Sequence, residues 1–228
     1  MRRSAIGYDM TRYGLSLIVL LLVFCFSAQS QSSPRMDALI KEATGIVLEK
    51  QTSPKPIPQS IISKAKGIAI IEITKGGFGL SGQHGEGVLI AKTKNGWSAP
   101  SAFYTSGGGI GLQVGVEVRQ LIYILNTADA VNAFAQKGKF KLNAIANATA
   151  GPDSVTEEAS TINQKDIYVY ATTDGAFAGA AIGSDRLGTA ININKEAYGD
   201  MVTTGDILNG KITSPPAAKQ LYDALKLR

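Results

Sequence analysis

The sequence predicts an α+β fold in which a mostly antiparallel sheet is flanked by an N-terminal and a C-terminal helix. Helical periodicity is concentrated near the two ends, and short apolar stretches separated by glycine clusters fill most of the rest. The 25 glycines among 228 residues follow no fixed period, which is typical of turns and bulges between strands. With 44% hydrophobic and 18% charged residues, the chain can form a core and is not of the disordered class.

The N-terminus has the pattern of a secretory signal peptide. Three arginines precede an apolar run at residues 15–26, which is short of the roughly 20 residues of a membrane span. Small residues then precede a cut after Ser30. We therefore expect residues 1–30 to be a signal peptide and residues 31–228 to form a single domain, while an uncleaved anchor remains the alternative. The segment before the cut carries a net charge of +2 out of +5, so the remaining chain is mildly basic.

The first elements after the signal are predicted to be helices. Residues 36–50 form an amphipathic pattern, and three prolines between residues 54 and 58 end it. A second short helix is predicted at residues 57–65. The apolar face of the first helix contains Met36, Leu39, Ile40, Ala43, Ile46 and Val47.

Short strands follow, because the period of the apolar residues changes from helical to extended. Residues 67–74 and 88–92 predict two strands joined by a glycine-rich link, and Asn95-Gly96 predicts a hairpin turn. Further strands are predicted at residues 101–105, 112–118, 120–126, 140–147, 167–172, 177–182 and 189–193.

Three helical segments complete the prediction. Thr127 is expected to cap a helix at residues 128–137. Short helical turns are expected within residues 197–208, and an amphipathic helix at residues 215–227 closes the chain.

The stretch at residues 77–82, GFGLSG, matches the dinucleotide-binding fingerprint by letter. That motif works only where a helix follows, because the amides and dipole at the helix start hold the pyrophosphate. Here a predicted strand follows, so the match indicates a glycine-rich hairpin and we expect no nucleotide or other cofactor.

His84 is the chain's one histidine, and the chain's one cysteine, Cys25, lies in the predicted signal peptide. A zinc site normally needs several such ligands, so no metal site is expected. A hydrolase that uses His84 as a base stays open as a minor alternative, but a base needs positioned partners and the pattern supplies none. We expect no enzymatic activity.

Basic residues around the first helices and strands are the main candidate binding groups. If the sheet brings them together, they would attract anionic headgroups. The alternative is a set of ordinary solvated lysines. The lysines are Lys64, Lys66 and Lys75, with Lys92 and Lys94 as a second choice.

The first helix could add apolar contacts by inserting into a membrane interface. The residues that would supply them are Leu39, Ile40 and Val47. The alternative is that this helix packs on its own domain.

Several motifs resemble the SYLF family of lipid-binding and actin-binding domains. They are IPQSIISKAKGIAII, KGGFGLSGQHGEGVLIAKT, GWSAPSAF, GGGIGLQVGVEV and LIYILNTADAVNAF, which lie within residues 57–134, with a looser match to residue 193. Eukaryotic members bind phosphoinositide membranes and some bind actin, and bacterial members are exported envelope proteins. The chain departs from the family pattern at Arg119, where an acidic residue is usual.

The resemblance implies an exported, non-catalytic protein of the periplasm or cell envelope that associates with anionic, phosphoinositide-like phospholipid surfaces. An envelope structural or protein-interaction module without lipid specificity is the alternative. We expect no nucleic-acid partner. A protein partner in the envelope remains open, and actin is not expected for an exported chain.

Overall fold

The structure is a computed structural model that describes residues 33–136, 140–141, 148–151, 166–172 and 186–227. These residues belong to one compact unit that spans Ser32–Arg228. The predicted signal peptide and the predicted strand at residues 177–182 lie outside the described residues.

Six helices and seven strands are present in the described part of the chain. The helices are α1 (Pro34–Thr52), α2 (Gln59–Lys64), α3 (Ala128–Ala135), α4 (Ile191–Tyr198), α5 (Thr204–Leu208) and α6 (Ala218–Ala224). The strands are β1 (Gly67–Thr93), β2 (Gly96–Trp97), β3 (Ser101–Leu125), β4 (Phe140–Lys141), β5 (Ala148–Ala150), β6 (Ile167–Ala171) and β7 (Arg186–Thr189). None of these helices combines the length and hydropathy that crossing a bilayer requires.

The seven strands form one sheet with the order β2-β1-β3-β6-β5. On the far side of β3 from β1, β6 pairs with the C-terminal end of β3 and β7 with its N-terminal part, and β4 pairs with β7. Every pairing is antiparallel except that of β5 with β6. The predicted α+β fold with a mostly antiparallel sheet is therefore confirmed.

Strands β1 and β3 are much longer than the sequence predicted. The glycine-rich link and the triple glycine at residues 107–109 do not interrupt them, because the two strands pair from Gly67 with Leu125 to Leu89 with Ser101. One irregularity near residues 78–80 shifts the register. The expected boundaries between shorter strands were wrong there, since pairing along the whole ribbon satisfies the backbone groups of the glycines.

The two ends of β1 lie side by side, so the strand doubles back on itself. The Lys92 amide donates a hydrogen bond to the Lys66 carbonyl at 2.7 Å. A Cβ atom built on Gly87 would lie 2.1 Å from the Ile70 carbonyl oxygen and 2.9 Å from the Ile71 Cβ. A glycine is required at this position because any side chain would collide with the opposing backbone.

The doubled sheet has a hydrophobic core on each face. Alternate β1 residues supply the two cores, as strand geometry requires. The first core packs the sheet against α1, α2, α4 and α6, and it includes Ile68, Ile70, Val88 and Ile90. The second core packs the other face mainly against α3, where Phe134 contacts Phe103 edge-on with ring centroids 5.7 Å apart.

The predicted first helix is confirmed and extends slightly beyond its expected ends. Ser33 is its N-cap, with a side chain that accepts from the Met36 amide, and Pro34 occupies a position where a missing N–H costs nothing. The Ser33 hydroxyl also donates to Glu196 at 2.5 Å, which ties the start of α1 to α4.

Helix α4 begins where the sequence predicted a strand to continue. β7 ends at Thr189, and Ile191 already belongs to the helix. The buried Asn194 explains the change, because its amide group accepts from the Ala102 amide at 2.7 Å and donates to the Ser101 hydroxyl at 3.0 Å. Such long-range contacts decide the local structure and are invisible to a periodicity argument.

Candidate functional site

The doubling of β1 brings two of the predicted lysines together. Lys66 precedes the strand and Lys92 lies near its end, yet their backbones are joined by the 2.7 Å hydrogen bond from the Lys92 amide. The Lys66 amide in turn donates to the Leu125 carbonyl at 2.8 Å. Both lysine side chains are exposed, so the backbone pairing places two positive charges next to each other at the surface.

The hairpin between β1 and β2 adds a third lysine and an aromatic ring. Lys92 pairs with Trp97 and Thr93 with Gly96, and Gly96 has a φ of 115°, which is accessible mainly to glycine. The Lys92 ammonium lies 4.5 Å from the centroid of the Trp97 ring, a cation–π geometry. Lys94 occupies the turn and is exposed. The predicted hairpin is thus confirmed, with its turn at Lys94-Asn95, one residue before the expected Asn95-Gly96.

Two adjoining cavities surround these side chains. The larger, of about 620 Å³, lies between the β1–β2 hairpin and the segment 208–214, and we call it the hairpin groove. The smaller, of about 240 Å³, lies between Lys66 and α3 and shares Lys92 with the groove. The hairpin groove is lined by Lys92, Thr93, Lys94, Asn95, Trp97, Ser98, Ala99, Leu208, Asn209, Gly210, Ile212 and Ser214.

The charge of this region is positive. The lining of the hairpin groove contains two lysines and no carboxylate. Within the described residues, neither Lys92 nor Lys94 forms an ion pair with a carboxylate, whereas Lys211, beside the groove, is bound by Asp206 at 2.7 Å. The groove therefore offers ammonium groups to an anion from outside the protein.

A half-buried tyrosine, Tyr222, holds the far wall of the hairpin groove in place. The Tyr222 hydroxyl donates to the Ser98 carbonyl at 2.7 Å and lies 2.9 Å from the Ser214 hydroxyl. Burial raises the pKa of Tyr222, so it remains a neutral donor. The wall and the hairpin are thus connected by hydrogen bonds as well as by packing.

The other two predicted lysines are placed differently. Lys64 is the last residue of α2, two positions before Lys66, and is exposed. Lys75 lies nine residues further along than Lys66, which corresponds to about 30 Å of extended strand, and it pairs in register with Glu117. The structure brings together Lys66, Lys92 and Lys94, and it leaves Lys75 at a distance from them.

The apolar residues predicted to enter a membrane are buried in the protein itself. Leu39 is 7% exposed, and Ile40 and Val47 are fully buried in the first core. The structure therefore supports the alternative in which this helix packs on its own domain. These three side chains could contact a lipid only if α1 left the sheet.

The glycine-rich motif and the histidine both lie on the long strand β1. Residues 77–82 lie inside β1 rather than in the expected hairpin, and the strand continues after them with no helix. His84 is about two-thirds exposed, and its Nε2 lies 3.9 Å from a Glu86 oxygen that Arg35 binds at 2.6 Å. In the described residues, no group of three or more His, Cys, Asp or Glu side chains could hold a metal ion.

A cluster of three glutamates, Glu42, Glu72 and Glu86, lies at the N-terminal half of α1. Partial burial, together with the negative charges of Glu72 and Glu86, raises the pKa of Glu42. Arg35 and Gln120 partly compensate by binding Glu86 and Glu72 at 2.6 Å and 2.9 Å.

Comparison with known proteins identifies the family. A family model described as "Ysc84: Las17-binding protein actin regulator" matches residues 106–228. This chain belongs to the Ysc84 family. The resemblance to the SYLF domain is thereby confirmed, because Ysc84-family relatives also match the N-terminal motifs. No solved structure matches the chain.

Two relatives show how much of a Ysc84-family protein this chain represents. LAS seventeen-binding protein 3 of Saccharomyces cerevisiae is 38% identical over 177 residues, which cover 75% of this chain and 39% of the relative. SH3 domain-containing YSC84-like protein 1 of Xenopus laevis is 33% identical over 199 residues, which cover 86% of this chain and 59% of the relative. The chain thus spans between about two-fifths and three-fifths of the length of these relatives.

Sequence reasoning did not place Trp97 beside the lysines, and it missed the segment 208–214 as part of the site. Trp97 was visible as the chain's one tryptophan, next to a predicted turn and between two lysines and a proline. Nothing in the sequence signals that Asn209 and Ser214 lie opposite it, because that contact depends on how α5 and α6 pack.

Proposed function

We propose that this protein is a non-catalytic, peripheral membrane-binding module that associates with anionic phospholipid surfaces. The observation that carries the proposal is that Lys92 and Lys94 line the hairpin groove and Lys66 lines the adjoining cavity, with no carboxylate in either lining. The Ysc84 family model describes a binding regulator, which agrees with a binding role.

The size of the electrostatic attraction follows from the number of lysines. Each lysine close to an anionic surface contributes about 1 kcal/mol, so three contribute on the order of 100-fold in affinity. Salt screens exposed charges, with a Debye length of about 8 Å at physiological ionic strength and about 3 Å at 1 M. Binding should therefore be strong at low salt and largely lost at high salt.

Trp97 adds an interfacial contact to these charges. Tryptophan favours the boundary between headgroups and acyl chains, where its ring is partly apolar and its N–H can be solvated. Its ring is half-buried at the edge of the hairpin groove, under the Lys92 ammonium. In this proposal Lys92 and Trp97 supply the membrane contact that the sequence assigned to the apolar face of α1, because that face is buried in the core of the domain.

We also propose that residues 1–30 direct the chain out of the cytoplasm and that the module works at the cell envelope. The basic start, the short apolar run and the small residues before the cut support this proposal. Intact mass measurement of the protein recovered from a host that exports it tests the cut. A chain that retains residues 1–30 would contradict removal and support the anchor alternative.

Protein binding is the second candidate function. The yeast relative is named for binding LAS seventeen. On β3 of this chain, Val116 and Val118 expose 77% and 51% of their surface. An envelope protein-interaction module would form a stable complex and would not respond to lipid composition. We do not propose actin as the partner, since an exported chain would rarely meet it.

Vesicle co-sedimentation tests the membrane proposal. The full chain is expressed, and the form that accumulates is incubated with phosphatidylcholine vesicles or with vesicles containing phosphatidylglycerol, at low and high salt. We expect salt-sensitive binding to the anionic vesicles alone. Replacing Lys66, Lys92 and Lys94 by Gln should reduce it on the order of 100-fold.

The matched control removes the same charge elsewhere. Lys41, Lys195 and Lys226 are exposed lysines on or after three different helices, and replacing all three by Gln changes the net charge equally. If this control loses as much binding as the groove variant, the lysines act only through net charge. If the parent protein binds no vesicle of either composition, the membrane proposal is wrong and the search for a protein partner takes precedence.

A further inference from the structure

We propose that the outer edge of β3 is a docking edge for the chain's own β6–β7 connection, residues 173–185, which pairs along it in one continuous register. The outer edge is the side of β3 that faces away from β1, between Gly107 and Arg119. This pairing is independent of the membrane-binding function, and it decides which partners the sheet can accept. A protein partner would reach this part of β3 only through its faces.

The pairings at the two ends of the outer edge keep the same register. Ala171 of β6 pairs with Leu121, and Arg186 of β7 pairs with Ser106. Arg186 lies 15 residues after Ala171, and Ser106 lies 15 residues before Leu121. The β6–β7 connection therefore has the number of residues that it needs to follow β3 from one pairing to the other without a bulge.

Equal spacing is not a general property of this sheet. On the opposite edge of β3, β1 advances by two residues between positions 78 and 80, while the paired residues of β3 advance by four. A connection that left the sheet and returned to it could have almost any length, because loops tolerate insertions. Continuous pairing requires the same number of residues on both strands, because every paired residue advances by the same rise.

The pairing with β3 already continues past the end of β6. The Thr172 amide donates to the Gln120 carbonyl at 3.3 Å, and the Thr172 hydroxyl donates to the Gln120 side-chain oxygen at 3.0 Å. From there to Ser106, no strand in the described part of the chain pairs with the outer edge. Backbone groups at an open edge template pairing with another chain, so covering them with the chain itself prevents association.

The composition of the β6–β7 connection suits a paired strand. Residues 173–185 read TDGAFAGAAIGSD, and every even-numbered residue from 176 to 182 is Ala or Ile. Such alternation is typical of a strand with one apolar face. The connection contains no proline, which would remove a donor from the ladder. The strand expected from the sequence at residues 177–182 falls inside it.

Two opposed pairs in this register are chemically favourable. Ala176 falls opposite Val116, which exposes 77% of its surface, and an apolar neighbour across the strands stabilises such a residue. Phe177 falls opposite Gly115, an exposed glycine with a φ of 128°. An aromatic residue placed across from a glycine compensates for the missing side chain and helps to fix the register.

Hydrogen exchange in the parent protein tests whether the outer edge is covered. Gln120 directs its backbone groups towards β6, so the amides of Val118 and Val116, two and four residues before it, point to the same side. We expect both amides to exchange on the order of 100-fold more slowly than in an unstructured peptide, at every protein concentration. Fast exchange of both would overturn the proposal. Slow exchange only at concentrations where the protein dimerises would also overturn it and assign the edge to a second copy.

A disulfide tests the register. Glu117→Cys with Gly175→Cys, in a Cys25→Ser background, places two thiols on opposed residues about 4.5–5.5 Å apart at Cα, so oxidised glutathione should link them within one chain. The matched control, Glu117→Cys with Gly179→Cys, is four residues out of register, or about 13 Å, and should stay reduced. The register is wrong if the control cross-links as well as the first pair, or if neither cross-links in protein that keeps the parent's circular dichroism. A disulfide between two chains in place of one within the chain would identify a second copy as the occupant and overturn the proposal.

Discussion

A methyl group added at Gly87 should destabilise the protein strongly. The Cβ of an alanine there would lie 2.1 Å from the Ile70 carbonyl oxygen, 2.8 Å from the Ile71 Cα and 2.9 Å from the Ile71 Cβ. All three atoms belong to the backbone or are attached to it, so no side chain can rotate away. The two ends of β1 must move apart to accommodate Gly87→Ala.

The expected cost follows from the behaviour of overpacked cores. Forcing an extra methyl group into a well-packed site costs about 1–3 kcal/mol. The clash with two backbone segments places Gly87→Ala near the upper end, although alanine regains about 0.4–1 kcal/mol through the lower entropy of the unfolded chain. A net loss of about 2 kcal/mol in a domain of this size lowers the Tm by roughly 4–8 °C.

Thermal unfolding followed by circular dichroism measures this effect, and Gly82→Ala is the control. Gly82 lies five residues away on the same strand, is exposed, and has no atom within 4 Å of the added Cβ. We expect its Tm to stay within about 2 °C of the parent, as for most surface changes. A Gly87→Ala protein that melts with the parent would refute the doubling of β1, and with it the placing of Lys66 beside Lys92.

Three further predictions concern the helices. Gly45→Ala in α1 should raise the free energy of unfolding by about 0.5–1 kcal/mol, because the added Cβ meets nothing within 4 Å and glycine is costly in a helix. Urea denaturation measures this change, and a destabilised variant would contradict the prediction. Asn194→Ala should lower the free energy of unfolding by about 3 kcal/mol in the same assay, because it leaves the buried Ala102 amide without its 2.7 Å partner. The control is Asn192→Ala, at an exposed position of the same helix, which should be nearly neutral. Hydrogen bonds from Lys211 and Thr203 lower the pKa of Asp206 to about 2, so their stabilising effect is complete above about pH 4 and is lost as the pH falls from 4 to 2. The difference in stability between the parent and Asp206→Asn should shrink across that range, and a constant difference would contradict the assignment.

The sequence was sufficient for elements whose signals are local. The period of the apolar residues located α1, and the Thr127 side chain caps α3 as expected, accepting from the Ala130 amide at 3.1 Å. Asn95-Gly96 marked the hairpin correctly. The periodicity could not decide whether the apolar face of α1 packs on a membrane or on the sheet, because either partner requires apolar side chains at Leu39, Ile40 and Val47.

The binding groove could be predicted only in part, because it depends on contacts between distant residues. Glycines at positions 85 and 87 look like strand breakers in a linear sequence, whereas in the fold they permit close backbone contact within a continuous strand. That contact joins Lys66 to Lys92 and leaves Lys75 apart. The sequence placed Lys64, Lys66 and Lys75 ahead of Lys92 and Lys94. The structure divides the five lysines differently, for a reason that composition and spacing do not contain.

The register of β1 with β3 has a consequence for the order of folding. Leu89 and Ser101 close a loop of about a dozen residues, whereas Gly67 and Leu125 are about sixty residues apart, and closing the longer loop costs more entropy and takes longer. Pairing of β1 with β3 should therefore begin at Leu89 and Ser101 and proceed towards Gly67 and Leu125. Lys66 reaches Lys92 only when the last pairs form, so a partly folded chain lacks the lysine cluster, and affinity for anionic surfaces would appear only at the end of folding.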